Sequence, residues 1–176
     1  QEWSLYQKLL LQPGQLMTSS VGRIFDAVAS LLGIADKVSY EGEAAMLLEH
    51  LARRYCNQHG FDFKEGYINE KVLPANTLQI NTGQLLTHIV QDLNKGIASE
   101  FVAAKFHYSM VKVIHVISSR LKINTIAFSG GVFQNTLLLD MLQHQLGPKY
   151  QLFLHRQLSP NDENISFGQW AHYAFA

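Results

Sequence analysis

The sequence predicts an α/β protein that is predominantly helical, and three observations carry that prediction. Apolar residues recur at helical spacing through most of the chain, most persistently from Ile97 to Leu121. Two short apolar runs, one before Ser129 and one at Gln151 to His155, each lead through a turn into a further helical pattern. That strand–helix–strand–helix ending suggests a parallel layer. Finally, 176 residues that are 47% hydrophobic and 16% charged suit one domain with a substantial core, not a disordered segment.

The elements follow in order. Trp3, Leu5, Tyr6, Leu9 and Leu10 predict a short helix over Glu2 to Gln12, stopped by Pro13-Gly14. Ser19 or Ser20 can cap a second helix, whose stripe is Ile24, Phe25, Val28, Leu31 and Leu32 before Gly33. Glu43 to Asn57 reads as a third, with Ala44, Leu47, Leu48, Leu51 and Tyr55 inward. Phe61 to Asn81 lacks a period and holds Gly66 and Pro74, so a loop with extended pieces at Phe61–Phe63 and Leu78–Ile80 is expected. Asn81 or Thr82 can cap a helix through Leu93, closed by Asn94-Lys95-Gly96. Ile97 to Leu121 is the longest helical pattern; within it His107 and His115 lie eight apart, a spacing that favours structural roles over shared metal ligation. After the second strand, the loop Arg156 to Asp162 leads into a last helix through Ile165, Phe167, Trp170 and Tyr173.

Bulk properties narrow the function. With 14 basic and 14 acidic residues and no clustered cationic stripe, nucleic-acid binding has little electrostatic support. No apolar run approaches the roughly 18 residues of a membrane span, and no signal-peptide pattern opens the chain. The single cysteine, Cys56, cannot form an internal disulfide and sits in a helical pattern; a packing role in a reducing cytoplasm is expected. The first residue is Gln1, which reads as a segment of a longer polypeptide.

The turn Ser129-Gly130-Gly131-Val132-Phe133-Gln134-Asn135 is the most informative stretch. Paired glycines between strand and helix remove the Cβ atoms that would hold a ligand off the backbone. A helix start offers free N–H groups and a partial positive charge to phosphate or ribose oxygens. No Lys-Ser/Thr follows, so this is not a Walker A loop; no third glycine follows, so it is not the dinucleotide fingerprint. A tight turn that needs glycine only for packing explains the same residues. Likewise Asp26 is either solvent-facing or held for a ligand, Asn135 is either an N-cap or a contact, and Asn161 or Asp162 can simply cap the last helix. No serine can be tied to a histidine to make a catalytic triad.

Four motifs occur together in order: Thr18-Ser19-Ser20-Val21-Gly22-Arg23-Ile24-Phe25-Asp26-Ala27-Val28, Tyr40-Glu41-Gly42-Glu43-Ala44-Ala45, the glycine turn, and His155-Arg156-Gln157-Leu158-Ser159-Pro160-Asn161-Asp162. This series resembles the C-terminal part of the carbamoyltransferase family that matures nickel–iron hydrogenases (HypF), from Thr18 to Ala174. The resemblance implies the C-terminal lobe portion of an actin/Hsp70-like (ASKHA, Kae1-like) ATPase fold. It implies that Asp26 and Glu43 contact ribose, that Gly130 and Gly131 let the turn approach adenosine and phosphate, and that Asn135 contacts the nucleotide through its amide. Asp162 would be a ligand of a divalent metal. It implies ATP, carbamoyl phosphate and carbamoyl adenylate as ligands, zinc in upstream domains, and a partner maturation protein (HypE). The C-terminal cysteine thiol of that partner would accept the carbamoyl group on the way to the iron centre's cyanide ligands.

Two departures stand out. The family's histidine pair spaced by four is missing among the eight histidines, and Glu163-Asn164 replaces two glycines after Asp162. Weak or absent metal binding by this segment alone is therefore expected. A small-molecule O-carbamoyltransferase and a non-catalytic nucleotide-binding or interaction module are the alternative readings.

Overall fold

The computed structural model describes residues 2–12, 18–68 and 80–175. The elements are α1 (Glu2–Leu10), α2 (Val21–Leu31), α3 (Glu43–His59), α4 (Thr82–Asn94), α5 (Ser99–Arg120), β1 (Thr125–Ala127), α6 (Thr136–Leu146), β2 (Gln151–Phe153) and α7 (Ile165–Phe175).

Helix α5 is the axis of the fold. Val102, Ala103, Ala104, Phe106 and His107 are fully buried, because α2, α3, α4 and α6 gather around it directly or through one another. Small residues at 103 and 104 let neighbouring helices approach, while Phe25 of α2 meets Phe106 edge-to-face with centroids 4.8 Å apart. On α3, Ala44, Leu48, Ala52 and Cys56 face inward at helical spacing. Leu47, expected inward, is exposed, one residue round the helix from that stripe. Burial pushes the Cys56 thiol up to about 11, so it behaves as a packing group. The apolar side chains Trp3, Leu5 and Leu9 of α1 and Ile165, Phe167 and Trp170 of α7 are exposed in this chain.

The two strands pair in parallel, Thr125 with Gln151, Ile126 with Leu152 and Ala127 with Phe153. α6 forms the crossover between them, as the sequence order required.

The segment after α3 departs from its expected form. Phe61–Phe63 is a bend, closed by Phe63 N–H donating to the Phe61 carbonyl at 3.1 Å. Of Leu78–Ile80, only Ile80 falls within the described residues. Tyr67 and Ile68 are core residues. Tyr67 N–H donates to Ser109 Oγ at 2.7 Å, and a Cβ on Gly66 would lie 2.9 Å from that oxygen, so glycine is what permits this approach. Tyr67 Oη and Lys105 Nζ both donate to Asp92 Oδ2, at 3.0 and 2.9 Å. Burial opposes the charge on Asp92, yet these two bonds hold its carboxyl below the usual carboxylate range.

Candidate functional site

Beyond the C-terminal end of β1 the chain builds a cleft of about 330 Å³. Its walls are Val21 and Ile24 of α2, Ile80 and Leu85 at α4, Met110, Val113 and Ile114 of α5, Leu138 of α6, and the turn from Ser129 to Phe133. Ligand sites in parallel α/β layers lie at this edge of the sheet.

The two glycines differ in kind. Gly130 has φ 107°, ψ 156°, a conformation that residues with a Cβ rarely adopt. Its N–H donates to the Pro160 carbonyl at 2.6 Å, and its carbonyl accepts from Phe133 N–H at 3.0 Å. The turn therefore dictates glycine at 130. Gly131 has no positive φ, and a Cβ there would meet nothing closer than Gln134 Oε1 at 4.0 Å. Neither turn nor packing explains its bareness, and it stands open on the cleft.

The helix does not start directly after the glycines. Gly131–Gln134 is a 3-10 turn, and α6 begins at Thr136. The second and third amides of its N-terminus, Leu137 and Leu138, are already taken. Asn135 Oδ1 accepts from Leu138 N–H at 2.8 Å, and Glu49 Oε1 accepts from Leu137 N–H at 2.9 Å and Thr136 Oγ1 at 2.6 Å. Arg53 braces this by donating to Thr136 Oγ1 and Asp140 Oδ2. A carboxylate from α3 thus occupies the anion position that a ligand was expected to take at α6. Nothing local in the sequence announces it, since Glu49 and Leu137 are 88 residues apart. No backbone partner is found among the described residues for the Gly131 and Val132 amides, which are among the donors left in the turn.

Of the two roles the sequence allows Asn135, the structure shows the cap. Its amide Nδ2 donates to His107 Nε2 at 3.0 Å, while His107 Nδ1 lies 2.8 Å from the Ala103 carbonyl. A carbonyl only accepts, so Nδ1 carries the proton and Nε2 is the bare acceptor. Complete burial pushes His107 down to about 4, keeping the ring neutral and this tautomer fixed. The cleft turn is thereby hung from the core helix.

The remaining predicted residues are dispersed. Asp26 lies about 200° round α2 from Ile24, the cleft residue, and its Oδ2 pairs with Arg23 Nη1 at 3.2 Å. Glu43 accepts from Ser39 N–H and Ser39 Oγ. The Ser39 backbone bond above all holds its carboxyl below the usual range. Neither side chain lines the cleft. Asp162 is exposed and opens a 3-10 turn capped by Asn161 Oδ1, which accepts from Glu163 N–H at 3.3 Å. Its loop is nonetheless tied to the glycine turn through Pro160, and Gln134 Nε2 reaches Ser159 Oγ at 3.3 Å. The third and fourth motifs thus meet in space. As a metal centre, the donor set falls short: among the described residues no group of three His, Cys, Asp or Glu side chains converges, and Asp162 alone does not make a site.

Ser129 and His155 were singled out by no spacing rule. Ser129 Oγ lies 3.3 Å from His155 Nε2 and 3.4 Å from the Pro160 carbonyl, which ties a particular serine to a histidine. The signal was present in the register. Ala127 pairs with Phe153, so residues two further along each strand are neighbours.

Residues 1–169 match the family model described as carbamoyltransferase, Kae1-like domain, second subdomain. The chain is 33% identical over 163 residues to the carbamoyltransferase HypF of Synechocystis sp., covering 91% of this chain and 20% of that protein. It is 30% identical over 158 residues to a probable carbamoyltransferase HypF of Methanocaldococcus jannaschii, covering 89% of this chain and 20% of the relative. Among solved structures, full-length HypF in its phosphate- and nucleotide-bound form superposes with a TM-score of 0.69 at 33% identity over 86% of this chain and 20% of that one. HypF of T. kodakarensis superposes with a TM-score of 0.75 at 24% identity over 98% of this chain and 23% of that one, a likeness of fold. The chain spans about a fifth of the length of these relatives.

Proposed function

The chain belongs to the HypF carbamoyltransferase family, and from that premise we propose that it forms one wall of a site for an adenosine nucleotide, carbamoyl adenylate in the complete reaction. The observation that carries this is Gly131, left bare on an apolar cleft by no demand of turn or packing. A solved relative described as phosphate- and nucleotide-bound supports the ligand class.

In this reading the apolar walls from α2, α4 and α5 take the base by burying it. Gly130 and Gly131 admit the sugar–phosphate side to the backbone, and Asn135 keeps the turn in register from behind. Asp26 and Glu43 would act on ribose only from outside the cleft. Asp162 would serve a divalent metal as one ligand among others that the described residues do not gather. ATP and carbamoyl phosphate would supply the adenylate. The acceptor thiol, the C-terminal cysteine of HypE, attacks the carbamoyl carbon; a C–S bond forms, the C–O bond to phosphate breaks, and AMP leaves as the thiol proton is lost. In this reading the work takes place in the cytoplasm, where a single free cysteine stays reduced.

The second reading, a nucleotide-binding module without its own catalytic set, is favoured by the lone Asp162. Both predict nucleotide binding. Calorimetry with ATP and Mg²⁺ should show binding that Gly131→Ala abolishes while thermal stability is kept. Unchanged affinity in Gly131→Ala, or no heat with the wild type, would overturn the site.

A further inference from the structure

We propose that Ser129 and His155 form a phosphate-recognising pair at the polar end of the cleft, contacting the phosphate of a nucleoside monophosphate whose base occupies the apolar walls. This deepens, and rests on, the nucleotide reading above.

Three features converge. Among the described residues lining the cleft, Ser129 has the only polar side chain, beside Gly130 and Gly131. A ligand that fits such a wall is apolar along most of its surface and polar where it meets Ser129. Secondly, Ser129 and His155 leave the C-terminal ends of β1 and β2 side by side, following the Ala127–Phe153 pair, with Phe128 N–H bonded to the Phe153 carbonyl at 3.0 Å. That edge is where parallel layers present groups to ligands. Thirdly, His155, just outside the residues that line the cleft, has Nε2 3.3 Å from Ser129 Oγ, and both residues are exposed. A phosphate oxygen that takes the hydroxyl proton from the Pro160 carbonyl and the imidazole N–H from Ser129 Oγ can accept from both together.

The pair is held in place. The loop carrying His155 is docked on the turn by the Gly130–Pro160 bond at 2.6 Å, and Asn164 Nδ2 donates to the Ser159 carbonyl at 2.7 Å. Asp162 and Glu163 lie further along the same loop, so the test omits magnesium to keep their carboxylates from recruiting phosphate through a metal.

The protein is titrated with adenosine, AMP and inorganic phosphate, by calorimetry and by following the His155 imidazole resonance. AMP is expected to bind roughly tenfold more tightly than adenosine, the scale of a hydrogen bond to a charged group. Ser129→Ala and His155→Gln, both at exposed positions, should each remove most of that advantage, read as the ratio of AMP to adenosine affinity within the same variant. Inorganic phosphate should shift the His155 resonance in competition with AMP. Adenosine and AMP binding equally, or an AMP advantage that survives both variants, would overturn the pair while leaving the nucleotide site intact. Absence of any nucleoside binding would overturn both.

Discussion

Replacing His107 by Leu tests how the cleft turn is attached to the core. In the wild type the bare Nε2 accepts from Asn135 Nδ2 at 3.0 Å, deep inside the fold. Leucine fills comparable space but accepts nothing, leaving a buried amide N–H unpaired, which costs about 1–3 kcal/mol at pH 7. The pH dependence then identifies the cause. The folded ring sits at about 4, against an ordinary value of 6.5, because burial disfavours the charged form. The unfolded chain therefore binds the proton first as pH falls. Stability from keeping this ring neutral is fully present above pH 6.5 and is lost progressively between 6.5 and about 4. A depression of that size is linked to about 3 kcal/mol in total. The leucine variant has no such group, so the other titrations are shared and cancel in the difference. Urea melts of both proteins at pH 7.0, 5.5 and 4.5 measure it. The wild type should be the more stable at pH 7, and its lead should shrink and vanish by pH 4.5. A lead of constant size across those pH values would refute the neutral, hydrogen-bonded histidine.

The two glycines should separate in stability. Gly130→Ala, at φ 107°, should lose about 1–3 kcal/mol through backbone strain, whereas Gly131→Ala should stay within about 0.5 kcal/mol of wild type in thermal melts. Glu49→Ala removes the acceptor for Leu137 N–H and Thr136 Oγ1, and should lower stability by about 1–2 kcal/mol, the range for losing a helix cap. Denaturant titration reads it, and a neutral result would mean that Asn135 caps α6 unaided. Tyr67→Phe deletes one donor to Asp92 and should lower stability by about 1 kcal/mol at neutral pH, with Lys105 keeping the carboxylate charged.

Most of the scaffold was legible because it obeys simple periods. The helical pattern of α5, the α2 stripe apart from the exposed Leu31, the parallel pairing and the buried Cys56 all follow from apolar spacing and element order. The motif around Ser129 and the motif from His155 to Asp162 are neighbours because a parallel pair places its C-terminal ends together. What escaped the sequence depends on contacts between distant residues. Tyr67 and Ile68 are core positions in an aperiodic stretch, recognisable only once Ser109 and Asp92 are brought beside them. Glu49 fills the N-terminus of α6 from another helix, so the expected free helix start is a 3-10 turn and a satisfied cap instead. Asp26 follows a motif that resembles the family's, yet helical geometry turns it away from the wall that Ile24 and Val21 form.

The most direct measurement of the central claim is the amide NMR spectrum of the protein as AMP is added. Saturable shifts should gather at Ser129, Gly131, Val132 and Phe133 and at Ile24 and Ile114 across the cleft, with the Gly131 amide among the largest. Shifts confined to other surfaces, or a spectrum that AMP leaves unchanged, would contradict a nucleotide site at this turn.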